Sequence, residues 1–285
     1  MSRIRNPHLT LRQTALPQLL LVASWLALGS SSNAWCQQTS VPAVEPSAPR
    51  TEWLTGDAFL DQLHRNSSLH WEGDSLRDAL TRLSRHQQIA IFLDRNLDPD
   101  QRIDLSLDDQ PLLDILRQIA HRAGGEVGFV GPVVYIGPPF VSHRLATLAE
   151  TLNQRLAQRL PARHGQLLRP TAMHWDILAE PQMLIAQRLT AASFNSTRLH
   201  MIPHDVWPAY DLPPMTWAEQ MTLLLAGFRL SFTVDAQGKE VQWTQFPQAV
   251  ALRREYSVPG DLAQTARQWE QRLPQAFVEI EGDKI

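Results

Sequence analysis

The chain has 285 residues, of which 44% are hydrophobic and 19% charged, with 20 proline, 13 glycine and one cysteine. That apolar share can build a core, which excludes a mainly disordered chain, and one cysteine excludes an internal disulfide or a cysteine-built zinc site. A net charge of -3 excludes a broad electrostatic grip on nucleic acid.

Arg3, Arg5 and Arg12 precede an apolar run from Leu19 to Leu28, and Gly29 to Ala34 are small or polar. A basic start, a short greasy centre and a small-residue exit predict a secretory signal peptide over residues 1–36, cleaved after Ala34 or after Cys36. The run is about half the ~20 apolar residues that a membrane-spanning helix needs, so no transmembrane anchor is expected after cleavage. Trp35 before Cys36 departs from a lipid-attachment box. Removal of 1–36 leaves 23 basic and 29 acidic residues, a mature charge of -6. An exported chain without cysteine holds its fold by packing alone, which fits a bacterial envelope compartment, periplasmic or secreted. Residues 37–50, rich in Pro, Ser, Gln and Ala, read as a flexible linker.

A first module spans residues 51–138. Leu69-His70-Trp71 forms a short strand, and Asp74 or Ser75 caps a helix whose Leu76, Ala79, Leu80 and Leu83 share one face. Ile89–Leu93 is a continuous apolar strand. Ile103, Leu105 and Leu107 alternate with polar residues, a strand with one wet face. Pro111 opens a second helix striped by Leu112, Ile115, Leu116, Ile119 and Ala120. Gly124-Gly125 stop it, and Val127–Val130 and Val133–Ile136 flank Gly131-Pro132 as a hairpin.

A connecting amphipathic helix is expected within 139–168, striped by Leu145, Leu148, Leu152, Leu156 and Leu160, and packing against one or both modules. The first element order then returns over 169–247. His174-Trp175 lies 104 residues after His70-Trp71, and Trp217, Met221, Leu224 and Leu225 lie 105 after Leu112, Leu116, Ile119 and Ala120. Equal spacings through both halves predict an internal repeat, each half wrapping two helices onto one pleated layer. Thr216 with Glu219 forms a capping box, and Gly227 is expected to end that helix in the left-handed region. An incomplete third unit occupies 248–285, with a strand at Tyr256–Val258, a helix from Asp261 and a strand at Phe277–Ile280. Its hairpin stops at Ile285, so the chain is either a piece of a longer protein or leaves a strand unpaired.

The stretches Trp71–Leu80, Ile89–Asp94, Ile103–Leu116, Val133–Gly137 and Asp211–Thr244 carry a resemblance to the secretin/TonB N-terminal short domain and the periplasmic domains of secretins. The resemblance covers about half the chain and rests on a hydrophobic pattern. It implies an α+β envelope module that docks other proteins without chemistry of its own. No series of amphipathic strands for an outer-membrane barrel is present.

Chemical motifs are sparse. No HExxH, GxSxG, phosphate loop or dinucleotide glycine motif occurs. Pro203 and Pro208 bracket His204-Asp205 and forbid the helix that a metal-binding pair needs there, so a loop contact is expected. Asp98, Asp100, Asp104, Asp108 and Asp109 lack the spacing of a calcium loop and read as a solvated face. His70 and His174 read as strand-edge residues. The expected function is therefore a non-enzymatic, exported protein–protein interaction module acting by sheet-edge docking on envelope proteins. Cofactor, metal, nucleic acid and small-molecule substrate are not expected. The alternative is an envelope hydrolase or glycan-binding protein, in which two of His200, His204, Asp205 and Asp211 would converge in a pocket, and Trp207 in its Pro-flanked loop would stack on a sugar.

Overall fold

Residues 51–159, 162–176, 178–196, 198–235, 237–252, 256 and 261–272 are described by the computed structural model. The chain is an α+β protein of small sheets and helices. The expected signal segment, the linker and the third unit's Phe277–Ile280 strand lie outside the described residues, as do Ser257 and Val258.

In the first half the order is α1 (Gly56–His64), β1 (Asn66–Ser75), α2 (Leu76–Gln87), β2 (Ala90–Leu93), β3 (Arg102–Pro111), α3 (Leu112–Arg122), β4 (Glu126–Val130) and β5 (Val133–Gly137). Ser75 caps α2, its side chain accepting from the Asp78 N–H. Leu76, Ala79, Leu80 and Leu83 are all buried on the face that their spacing predicts. Pro111 sits at the N-cap of α3, one residue before its first turn, and Gly131 takes a φ of 53° in the β4–β5 turn.

The second half contains α4 (Pro139–Arg159), a 3-10 turn (Ala162–Leu168), β6 (Thr171–Trp175), α5 (Pro181–Ala191), β7 (Tyr210–Met215), α6 (Trp217–Ala226), β8 (Leu230–Val234) and β9 (Val241–Gln245). A final helix, α7 (Leu262–Arg272), follows. The capping box at Thr216 and Glu219 is present with both of its hydrogen bonds. Among the described residues, no helix is long and apolar enough to cross a membrane.

Three expectations need correction. The strands of the first half do not form one layer: β1 pairs antiparallel with β3 as a ribbon, while β2, β5 and β4 form a separate sheet in that order. Register shifts between Ser67 and Leu69 and between Trp71 and Asp74 interrupt the β1–β3 ladder, and bulges of this kind bend a strand and raise its twist. In the second half the counterpart of β2 shrinks to a single parallel bridge, Asn195 to Glu240, where Ser193, Asn195 and Ser196 replace a run of apolar residues. Gly227 is right-handed, at φ -64° and ψ -16°. The chain turns once more, with the N–H groups of Phe228 and Arg229 donating to Leu225 O and Ala226 O, and Arg229 takes the left-handed position at φ 54°.

The sheet β2-β5-β4 separates two apolar cores. Ile91, Val134 and Ile136 face a first core with Leu76, Leu80, Ile103, Leu105, Ile115 and Leu116. Alternate residues Ala90, Phe92, Val133 and Tyr135 face a second core built from α4 and the second half. This alternation is the two-residue period of a strand covered on both sides. Leu145, Leu148, Leu152 and Leu156 of α4 are buried in the second core, each burial worth about 2 kcal/mol. Every residue of α6 except Glu219 is buried, so this helix is central. Its Gln220 is satisfied by donating to Thr171 O and Met215 O.

Candidate functional site

Where β2 ends, Asp94, Arg95 and Asn96 reach across to the second half. Asp94 is buried and accepts from the Tyr135 hydroxyl and from the Asn96 backbone and side-chain amides, the latter two at 2.7 Å. The Asn96 side chain donates on to Gly227 O at 2.8 Å. Arg95 Nε donates to Asp205 Oδ2 at 2.6 Å, and its guanidinium lies 4.8 Å from the Phe228 ring centroid. A Cβ on residue 227 would come within 3.0 Å of Arg95 Cγ, so glycine there permits this close approach rather than a left-handed turn.

Asp205 also accepts from Trp207 Nε1 at 2.8 Å and from the Val206 N–H at 2.9 Å. Desolvation pushes its carboxyl upward, but the hydrogen bonds from Arg95, Trp207 and Val206 together outweigh it and hold the group below its ordinary value. Burial, followed by the charge and hydrogen bond of Asp94, raises the Tyr135 phenol well above its ordinary value. Burial also raises Tyr210, offset in part by the Leu93 N–H that its oxygen accepts and by Arg77.

Trp207 does not project for a sugar, as the glycan-binding alternative requires. It is buried, its backbone pairs with Ala179, and its ring meets Phe92 at 5.5 Å and Phe228 at 5.9 Å. Phe92 also meets Tyr210 at 4.8 Å, and Tyr210 meets Trp175 at 5.4 Å. These rings join β2 of the first half to the second half. The Pro-flanked loop is drawn inward because the indole finds both an apolar seat and an acceptor, Asp205.

The residues of the enzymatic alternative do not converge. His204 is exposed, 3.5 Å from Glu180. His200 lies in the 3-10 turn Leu199–Met201, and Asp205 is held by Arg95. Asp211 accepts from the Thr51 N–H at 3.0 Å and borders a 160 Å³ groove with Arg77, Arg85 and Tyr210 that none of the other three lines. No metal-binding group of three or more His, Cys, Asp or Glu occurs among the described residues. Asp98 accepts from the Asp100 N–H, and Asp104 and Asp109 accept from Gly73 N and Asn66 Nδ2 of β1 instead. His70 is exposed beside Ser106 and Glu72, and His174 stands opposite Asp211 in the β6–β7 ladder.

What the arrangement offers is a joint between the two halves and two sheets that end in edge strands, each largely buried. Sheet β2-β5-β4 ends at β4 on one side, and the hairpin β8–β9 ends at β8. The edge of β2 is closed at Leu93 by the Tyr210 hydroxyl. No family model matches the chain, and no curated protein matches it.

Proposed function

We propose that the chain is an exported, non-enzymatic docking protein of the secretin/TonB short-domain type, built from tandem modules that take partner strands at their sheet edges. The observation that carries this is the repeated pairing scheme. In the first half β1, the strand before helix α2, pairs antiparallel with β3, the strand before helix α3, Trp71 opposite Leu105. In the second half β6 and β7 do the same, Trp175 opposite Tyr210. Each half then closes with an antiparallel hairpin, β4–β5 and β8–β9. Edge strands carry unpaired backbone donors and acceptors, and a partner strand that satisfies them gains affinity without any reacting group. The scattered placement of His200, His204, Asp205 and Asp211 lends no support to a hydrolase.

The test is expression of the full chain, tagged at its C-terminus, in a bacterium with two membranes, followed by fractionation and in-cell cross-linking with mass spectrometry. A shortened protein in the periplasm, cross-linked to a secretion-channel or receptor component, is the expected result. An unprocessed protein in the cytoplasm without envelope cross-links contradicts the proposal.

A further inference from the structure

We propose that the groove between α2 and the start of β7 is a binding site for an aliphatic carboxylate, either a free acid or the C-terminus of a polypeptide. This site is independent of the sheet edges and involves no reacting group.

The groove has a volume of 160 Å³ and lies where the two halves meet. Leu80 of α2, Ile91 and Leu93 of β2 and Pro208 give it an apolar lining, to which Trp53 adds an indole. An apolar cavity of roughly 150 Å³ holds a benzene molecule, so this volume suits a body of about six carbons. It falls below the roughly 300–1,000 Å³ of drug-sized sites.

The polar lining is weighted toward positive charge and free donors. Arg77 and Arg85 both line the groove, about 12 Å apart along α2. Neither has an ion-pair partner among the described residues: Asp74 is taken by Arg82 at 2.7 Å, and Asp78 accepts from Ser75 Oγ at 2.8 Å. Arg77 stands close enough to Tyr210, which also lines the groove, to oppose the rise of its phenol. The Trp53 Nε1–H is shielded from water and finds no acceptor among the described residues. Buried donors are nearly always paired, so an unpaired one in the wall of a groove calls for an acceptor from outside. Asp211 is the one acid among the described lining residues, and it already accepts from the Thr51 N–H at 3.0 Å. Two guanidiniums thus face one engaged carboxylate. The hydroxyls on the α2 wall are spent as donors, Thr81 to Arg77 O and Ser84 to Ile89 O. A ligand carboxylate answers the guanidiniums and the indole, and an aliphatic body covers the apolar lining. An ammonium would meet two like charges.

The experiment titrates the ¹⁵N-labelled full chain with 4-methylpentanoate at pH 7 and follows proton–nitrogen NMR, the Trp53 indole signal being assigned through Trp53→Phe. Saturable shifts of that signal and of the α2 amides are expected. Acetate, which lacks the apolar body, and 4-methylpentanamide, which lacks the charge, should each bind at least tenfold more weakly. Arg77→Met and Arg85→Met should each weaken binding at least fivefold, with Arg77→Lys recovering part of the loss, while Asp211→Asn should tighten it. Urea midpoints check that the variants fold, and the comparison of acid with amide needs no variant. N-acetyl-glycyl-leucine against its C-terminal amide separates the sources. Tighter binding of the peptide acid than of 4-methylpentanoate assigns the site to a polypeptide C-terminus, and the reverse assigns it to a free acid; either supports the carboxylate. Absence of a saturable shift, equal binding of acid and amide, preference for 4-methylpentylamine, or affinity unchanged in both methionine variants overturns the assignment.

Discussion

Arg95 and Asp205, separated by 110 residues of chain, meet at 2.6 Å and tie the end of β2 to the loop before β7. The carboxylate is shared with the Trp207 indole and the Val206 N–H, so one acidic side chain orders both the guanidinium and the buried loop. With Asn96 bonded to Gly227 O, this clasp fixes the two halves relative to each other.

Arg95→Ala should lower stability at neutral pH, and the deficit should shrink in acid. The Asp205 carboxyl is depressed in the folded chain. Its contribution is therefore present above the unfolded value of about 3.9 and is lost as pH falls through the lower folded value. Urea unfolding of wild type and variant from pH 7 down to pH 3 should show the two midpoints converging below about pH 4.

Trp207→Ala should cost about 3–5 kcal/mol and Trp207→Phe distinctly less, read from urea unfolding at pH 7. A Trp207 that instead served an exposed sugar site would be replaced at little cost to stability.

Tyr135→Phe removes one of the donors to buried Asp94 and should cost about 1–3 kcal/mol. It also changes the alkaline limb. Tyr135 and Tyr210 are both raised in the fold, so their contributions hold below the unfolded value of about 10 and fade as pH rises through the folded values. Thermal melts above pH 10 should therefore fall less steeply for Tyr135→Phe than for wild type.

Thr216→Ala should cost about 1 kcal/mol by opening the capping box of α6. Its hydroxyl also donates to Asn153 Oδ1 of α4 at 2.9 Å, so the same variant loosens the α4–α6 contact. Thermal unfolding of Thr216→Ser, which keeps both bonds, serves as the comparison and should stay close to wild type.

Local structure was legible where one residue type meets one physical need. Ser75 before an apolar helical stripe, Thr216 three residues before Glu219, and Gly131-Pro132 between two apolar runs each announce an element boundary through short-range hydrogen bonding or backbone freedom. The division of the first half into a ribbon and a separate sheet was not legible, because bulges at Ser67–Leu69 and Trp71–Asp74 leave no mark in the apolar alternation. Nor was the clasp. The reach of Arg95 to Asp205 depends on tertiary contact, and Trp207 between prolines reads as a surface loop until Phe92 and Phe228 enclose it. Gly227 misled for a related reason: its missing side chain makes room for Arg95, while the left-handed turn falls on Arg229.

The most direct measurement is in-cell cross-linking with mass spectrometry of the full chain in a bacterium with two membranes. Cross-links to a secretion-channel or receptor component of the envelope are the predicted result. A protein that cross-links to no envelope component would contradict the proposed docking role.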